Sequence, residues 1–332
     1  MNMETRKVQK TGKSTLIVSL PKKWANENAI INGSLLFISQ NHNGDLLLSR
    51  DKSEPDQIVK LDIGSKCGAP LIRDVIACYL AGYKTVEISS HQLTAMQKRD
   101  LHTIVNKLIG PEILEESINK VVIHDLLSEE ELPADRALKR MKNVTRSMIQ
   151  DALSSLIKRN KELAIDVIQR DNDVDRLNLL IARQFNDILR SGSIKQETHS
   201  PISAFNYMQA AINLERMADH ASKIAEISSQ NDNELPREMT DEISRLNSIF
   251  TTLIDDSISV LLKPDNQKAN QLIDKTKEMK KQSIIMTSPL WERDDDEMPI
   301  RLVVADSMER MLDLIINIAE LSINLQNAVL ED

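Results

Sequence analysis

The stretch ERMADHASKIAE, residues 215 to 226, returns as ERMLDLIINIAE at residues 309 to 320. Glu, Arg, Met, Asp, Ile, Ala and Glu recur in matching places at an offset of 94. Upstream, QDALSSLIKRNKELAIDVI from Gln150 and DDSISVLLKPDNQKANQLI from Asp255 align more loosely at an offset of 105, which sets Asp151 opposite Asp256. Self-similarity at this spacing marks a duplicated packing unit. The strand signal disappears after Pro133. Pro201, Pro236, Pro264, Pro289 and Pro299, with Gly192, then divide the chain into helical segments at 134–160, 162–190, 202–229, 237–262, 266–287 and 299–329, because proline and glycine stop helices. Apolar residues recur at three and four within them, as antiparallel bundle helices require. The expectation over 134–332 is an all-α body of two repeated three-helix bundles, 134–230 and 236–330.

The repeat carries acids on one helix face. Glu215, Asp219 and Glu226 lie at i, i+4 and i+11, nearly three turns, and Glu309, Asp313 and Glu320 reproduce the spacing. A small or apolar stripe of Leu214, Ala218, Ala221 and Ala225 runs beside the first set, about 100° away, so the carboxylates stand at the edge of the core. On the preceding helix Asp171 and Asp175 form another i, i+4 pair, with Asp173 off their face. Stacked carboxylates repel unless cations neutralise them. Arg216, Arg310, Lys223 or solvent can do this, and so can a metal ion. An all-oxygen donor set suits Mg, Mn or Fe, with His220 nearby. No positioned nucleophile, His/Asp/Ser constellation or closed Cys/His zinc site accompanies the acids, so the expectation is not an enzyme.

The first third is different. Seven of eight glycines fall at or before Gly110, so turns are concentrated there. LIVSL at 16 to 20, and SLLFIS and DLLLSR around Asn43-Gly44, read as strands and a hairpin, with a short helix in PKKWANENAI between. Residues 56–127 run IVKLDI, PLIRDVIACYLAGY, KTVEIS, a helix near 94–109 and KVVIHDL, a βαβαβ order that predicts a small α/β domain acting as linker or sensor. Asp62, His91 and His124 fall near strand ends, but no two have a ligand-like spacing. KTGKST at 10 to 15 has the last letters of a P-loop, yet Lys7 stands where its first glycine belongs and a strand follows where its helix should start. Neither ATP nor NAD is expected.

Composition bounds the rest. The 332 residues carry a net charge of −8 with 41% apolar and 28% charged residues, an ordinary globular mix with room for two or three domains. Within residues 1–25, Arg6, Lys7, Lys10, Lys13, Lys22 and Lys23 stand against Glu4, a formal +5 that leaves −13 for the remainder. A basic head on an acidic body suits local phosphate contacts. Cys67 and Cys78 lack metal or redox spacing. No apolar run approaches the roughly 18 residues of a membrane span, and MNMETRKVQK has no apolar signal core; the expected location is cytoplasmic.

ERMADHASKIAE resembles the signature of PhoU phosphate-regulatory proteins. That resemblance implies a pair of similar three-helix bundles and multinuclear iron or zinc clusters held by repeated ExxxD-type motifs. Carried over, it designates Asp171, Asp175, Glu215, Asp219, Glu226, Glu309, Asp313 and Glu320 as metal ligands. The second copy departs from the pattern, with Thr276 and Lys280 opposite Asp171 and Asp175 and Asn317 opposite Lys223, which weakens a second cluster. RKVQKTGKSTLIVSLPKKWANENAIINGSLLFI, followed by NGDLLLS, resembles a SpoVT/AbrB-type domain over 1–54. This implies a small swapped-hairpin β-barrel head in which two chains interleave, with Arg6, Lys7, Lys10, Lys13, Lys22 and Lys23 facing DNA. The whole is similar to an archaeal-type PhoU regulator with an AbrB-like head. The expected function is a homodimeric, DNA-binding transcriptional regulator of phosphate uptake and homeostasis with a metal-containing body that senses metal or inorganic phosphate. The alternative is a non-DNA-binding adaptor that negatively regulates a phosphate transporter or signalling partner, and a third reading is a metal-dependent enzyme.

Overall fold

The computed structural model describes residues 4–40, 44, 46–50, 58–127, 131–191, 200–231, 233–282 and 298–329. Gly192, Pro289, Asn43 and positions 283–287 of the expected fifth body helix lie outside these. The described chain falls into two units, one made by the head up to residue 50 and the other running from Ile58 onward.

In the head, β1 (Gln9–Thr11) pairs antiparallel with β2 (Thr15–Ile17), and β3 (Phe37–Gln40) with β4 (Leu46–Ser49), while α1 spans Lys22–Glu27. KTGKST is thus the turn of the first hairpin, where Gly12 takes φ +63°, a conformation with little penalty for glycine alone. Sequence reading missed β1 because QKT has no apolar residue. The expected β-barrel is corrected: each ladder is a separate two-stranded sheet, and no sheet among the described residues closes into a barrel. Alternating apolar residues can specify a ladder, but closure needs every strand edge to be paired, and among the described residues each of these strands pairs with a single neighbour. Val8, Leu16, Ile17, Val18, Ile31, Leu35, Ile38, Leu46 and Leu47 remain exposed on the head.

The second unit begins with a sheet of order β5-β6-β8-β7, built from β5 (Ile58–Asp62), β6 (Thr85–Ser89), β7 (Pro111–Glu116) and β8 (Lys120–Asp125). β5 and β6 are parallel, joined through α2 (Ala69–Leu80), and β8 is antiparallel to both its neighbours. α3 (Ala95–Asn106) opens on a capping box in which Thr94 and Gln97 satisfy each other's backbone donors. Val86, Ile88, Val121 and Ile123 point to one side and share a core with Leu71, Val75, Leu101 and Ile104 of the helices. Glu87 of the opposite side meets Lys60 and Lys120. β7 is an addition to the βαβαβ reading. Its sequence, PEILEE, opens on proline and is acidic, features that protect an edge strand and hide it from apolar patterning.

Six long helices follow among the described residues: α4 (Ala134–Lys158), α5 (Lys161–Ser191), α6 (Pro201–Gln230), α7 (Arg237–Leu262), α8 (Asn266–Gln282) and α9 (Met298–Val329). α4 stops where Arg159 turns left-handed at φ 54°, and α6 starts with Pro201 at its first position and the Ser200 hydroxyl accepting from Ser203 N. α4, α5 and α6 pack on one another, as do α7, α8 and α9. α6 and α9 lie together between them, antiparallel, with Asn213 near Asn317 and His220 near Ser307. A single apolar core runs through all six helices. α5 also grips the α/β layer. Arg176 donates to Leu108 O, Asn186 to Leu80 O, and Arg183 pairs with Asp125 at 2.7 Å while lying 4.6 Å over the Tyr79 ring. Gly82, at φ +76°, lets the turn after α2 approach so closely that a Cβ there would run into the Asp187 carboxylate.

Candidate functional site

The two acid sets differ once folded. In the first, Asp171 and Asp175 of α5 face Glu215 and Asp219 of α6 closely enough to disturb one another's ionisation. Burial, followed by the charges of Asp219, Asp175 and Asp171, pushes the Glu215 carboxyl up to about 7. Burial, then Asp175, Asp219 and, least of these, Glu226, raises Asp171 to about 6. Asp175 is also raised, by burial and by Asp219, with Lys107 at the end of α3 opposing. Arg216 offsets only part of the repulsion on Glu215. Asp171 Oδ1 is buried without a hydrogen-bond partner, and so is the hydroxyl of Ser222, which stands near enough to ease the Asp171 charge but outside hydrogen-bond geometry. Four acids are therefore gathered with little to neutralise them, which costs stability at neutral pH.

The second set is neutralised from within. Lys280 Nζ of α8 lies 2.9 Å from Glu309 Oε1 and 2.8 Å from Asp313 Oδ1 of α9. Burial alone would lower the Lys280 pKa, but the hydrogen bonds to Asp313 and Glu309 outweigh it and hold the ammonium above its ordinary value. Thr276 is fully buried and donates its hydroxyl to Leu272 O on its own helix. Glu226 and Glu320, the last acids of each motif, are exposed. His220 turns to the seam between α6 and α9, its Nδ1 3.3 Å from Ser307 Oγ, and burial lowers its pKa.

A metal ion fits the two sets differently. Among the described residues no three His, Cys, Asp or Glu groups are arranged so that they could hold one as they stand. The first set nevertheless supplies the hard oxygen donors that such an ion needs, with the Asp171 Oδ1 orphan among them. The second set, already holding an ammonium, does not fit. Ser222 and Lys107 belong to the surroundings of the first set although no sequence pattern singled them out. Ser222 shares a helix with the acids at i+3 from Asp219, which could have flagged it; Lys107 comes from another layer and could not have been found that way.

Arg6, Lys7, Lys10, Lys13, Lys22 and Lys23 are all exposed on the head. Arg6 pairs with Glu4 and Lys23 approaches Glu27 at 4.0 Å, while the remaining four form no ion pair among the described residues. Asp62 accepts from Gly64 N at a strand end, and His124 Nδ1 shares a 2.9 Å hydrogen bond with Thr85. No described helix is long and apolar enough to cross a membrane.

Comparison with known proteins agrees with this division. Residues 138–228 match the PhoU domain family, and residues 9–56 match the family described as antidote-toxin recognition MazE, bacterial antitoxin. The chain thus carries a PhoU-family domain and a MazE/AbrB-like N-terminal domain, and nothing in the matches speaks to an archaeal-type arrangement. No curated protein matches. Among solved structures, PhoU from Pseudomonas aeruginosa is 22% identical with a TM-score of 0.51, over 60% of this chain and 100% of that one. The phosphate transport system regulatory protein PhoU from Streptococcus pneumoniae is 19% identical with a TM-score of 0.51, over 60% of this chain and 97% of that one. Likeness at this identity establishes a shared fold. The PhoU domain belongs to regulatory proteins rather than enzymes, in keeping with the non-enzymatic reading of the sequence.

Proposed function

We propose that this chain regulates phosphate uptake in the cytoplasm through protein contacts, its helical body docking on a phosphate transporter or a signalling partner of one. The observation that carries this reading is the PhoU domain at 138–228, on a body whose fold extends over the full length of solved PhoU chains. The first acid set gives that body a means of sensing. Asp171, Asp175, Glu215 and Asp219 repel one another and would take a divalent or trivalent metal, Fe, Zn, Mg or Mn. A bound cation makes an acidic surface hospitable to inorganic phosphate. The experiment replaces the chain in cells by a Glu215→Gln/Asp219→Asn variant. Deleting the chain should raise phosphate uptake at high external phosphate, the wild type should restore it, and the variant should purify with less metal and fail to restore it. Uptake indifferent to deletion overturns the regulatory reading, and a variant that keeps stoichiometric metal overturns these ligands.

A second reading adds DNA to the partners, and the exposed basic residues of the head, Lys7, Lys10, Lys13 and Lys22 among them, favour it. Phosphate contacts release counterions, so affinity falls with salt in proportion to their number. In this reading the chain acts as a dimer, the exposed apolar residues of the head being covered by a second copy. Lys10→Ala/Lys13→Ala should weaken binding to all DNA sequences alike and reduce the slope of log affinity against log salt by about 2, roughly one per phosphate contact. An unchanged slope removes the DNA reading and leaves the adaptor.

A further inference from the structure

The repeat makes the two acid sets comparable position by position. At an offset of 105, Thr276 and Lys280 stand where the first repeat has Asp171 and Asp175; at 94, Glu309 and Asp313 stand where it has Glu215 and Asp219. Four carboxylates, formally −4, correspond to two carboxylates, one ammonium and a hydroxyl, formally −1. The ammonium is in place, 2.9 Å from Glu309 and 2.8 Å from Asp313. Thr276 is fully buried, its hydroxyl donates to Leu272 O on its own helix, and it brings no charge to offset a cation.

We infer that Lys280 is a tethered cation that keeps the second set permanently closed to metal ions, so that only the first repeat responds to them. This deepens the metal reading of the first set, and it follows from elementary geometry. A dication bound to Glu309 and Asp313 would sit about 2.0–2.6 Å from their oxygens, in the space where the Lys280 Nζ now bonds to both. The two cations cannot share the site. A cation entering there must break both ion pairs of the ammonium, and no second pair of acids compensates as Asp171 and Asp175 do. Lys280 thereby turns one half of a duplicated site into a clasp between α8 and α9, at the cost of its ability to exchange ions.

The test uses the full chain, with Mn2+ as the probe ion and bound Mn2+ counted by equilibrium dialysis. In every arm the first set is silenced by Asp171→Asn/Asp175→Asn/Glu215→Gln/Asp219→Asn, and failure of the first-set reading is seen separately, as wild-type protein that takes up no Mn2+. The silenced chain should bind no Mn2+. Adding Thr276→Asp/Lys280→Asp, which copies the first repeat's pattern, should give about one bound Mn2+ per chain, lost again on Asp313→Asn. Mn2+ retained by the silenced chain and abolished by Glu309→Gln/Asp313→Asn would overturn the inference, as would a helical, cooperatively melting Thr276→Asp/Lys280→Asp chain that gains none. Should that chain fail to fold, Lys280→Met on the silenced background decides: its melting point should fall in EDTA and recover in Mn2+, and a melting point that does not respond to Mn2+ overturns the inference.

Discussion

Arg183→Met should destabilise the second unit by about 3–5 kcal/mol, the cost of stripping one partner from a buried ion pair. In a unit of this size that lowers the melting temperature by on the order of 10 °C. Arg183 and Asp125 side chains are 7% and 9% exposed and 2.7 Å apart, and Asp187 lies 3.7 Å from the other side of the same guanidinium. Removing the cation leaves the Asp125 carboxylate without its ion pair in a poorly solvated seam, leaves Asp187 with Arg190, and takes the charge from above the Tyr79 ring. Methionine keeps much of the side-chain bulk, so the loss would report charge rather than a cavity. Adding Asp125→Asn should recover part of it, since the double variant no longer buries that uncompensated charge. Calorimetry on both variants measures this, and a loss below about 1 kcal/mol for Arg183→Met would show that the seam is wetter than its burial implies.

Asp171→Asn/Glu215→Gln should make the metal-free protein more stable at pH 7.5, an uncommon outcome for paired substitutions at the edge of a core. Burial first, and neighbouring carboxylates second, raise these groups to about 6 and about 7 in the folded chain, against roughly 4 when unfolded. Between those limits the native state holds protons that the unfolded state has released, so wild-type stability from these groups is present below about pH 4 and is lost as pH rises through the folded values. A tenfold difference in proton affinity between the two states is worth about 1.36 kcal/mol. Discounted for partial exposure and mutual coupling, the variant's advantage should be about 2 kcal/mol at pH 7.5 and vanish near pH 4. Denaturant melts in EDTA at the two pH values give the difference directly. A variant no more stable than wild type at pH 7.5 would mean that solvent already relieves the repulsion. Bound metal should erase the advantage, because the cation stabilises the ionised acids only where they are present.

The helical body could be read from residues because its signals are local. Proline and glycine mark its joints, three-and-four spacing marks its faces, and the recurrence of Glu-Arg-Met with Asp at i+4 identifies both the duplication and one edge of the acid set. The convergence of α5 on α6 was inferred only through resemblance, since periodicity says which face an acid occupies and not which helix it meets. Lys280 opposite Asp175 was visible in the repeat alignment; its seat between Glu309 and Asp313 needed the packing of α8 on α9. The Arg183–Asp125 pair had no local trace, because its partners lie in different layers, 58 residues apart. β7 was hidden by its acidic edge sequence. The barrel failed for another reason, since strand pattern carries no information on whether sheet edges meet.

α5 carries Asp171 and Asp175 near its middle, and its hold on the α/β layer runs on from Arg176 through Arg183 to Asn186, roughly 15 Å of helix. A helix cannot stretch over that distance without breaking its own hydrogen bonds. The acid set and the hold on the α/β layer are therefore two loads on one beam. A change of spacing between α5 and α6 at the acids moves the anchor of a whole domain.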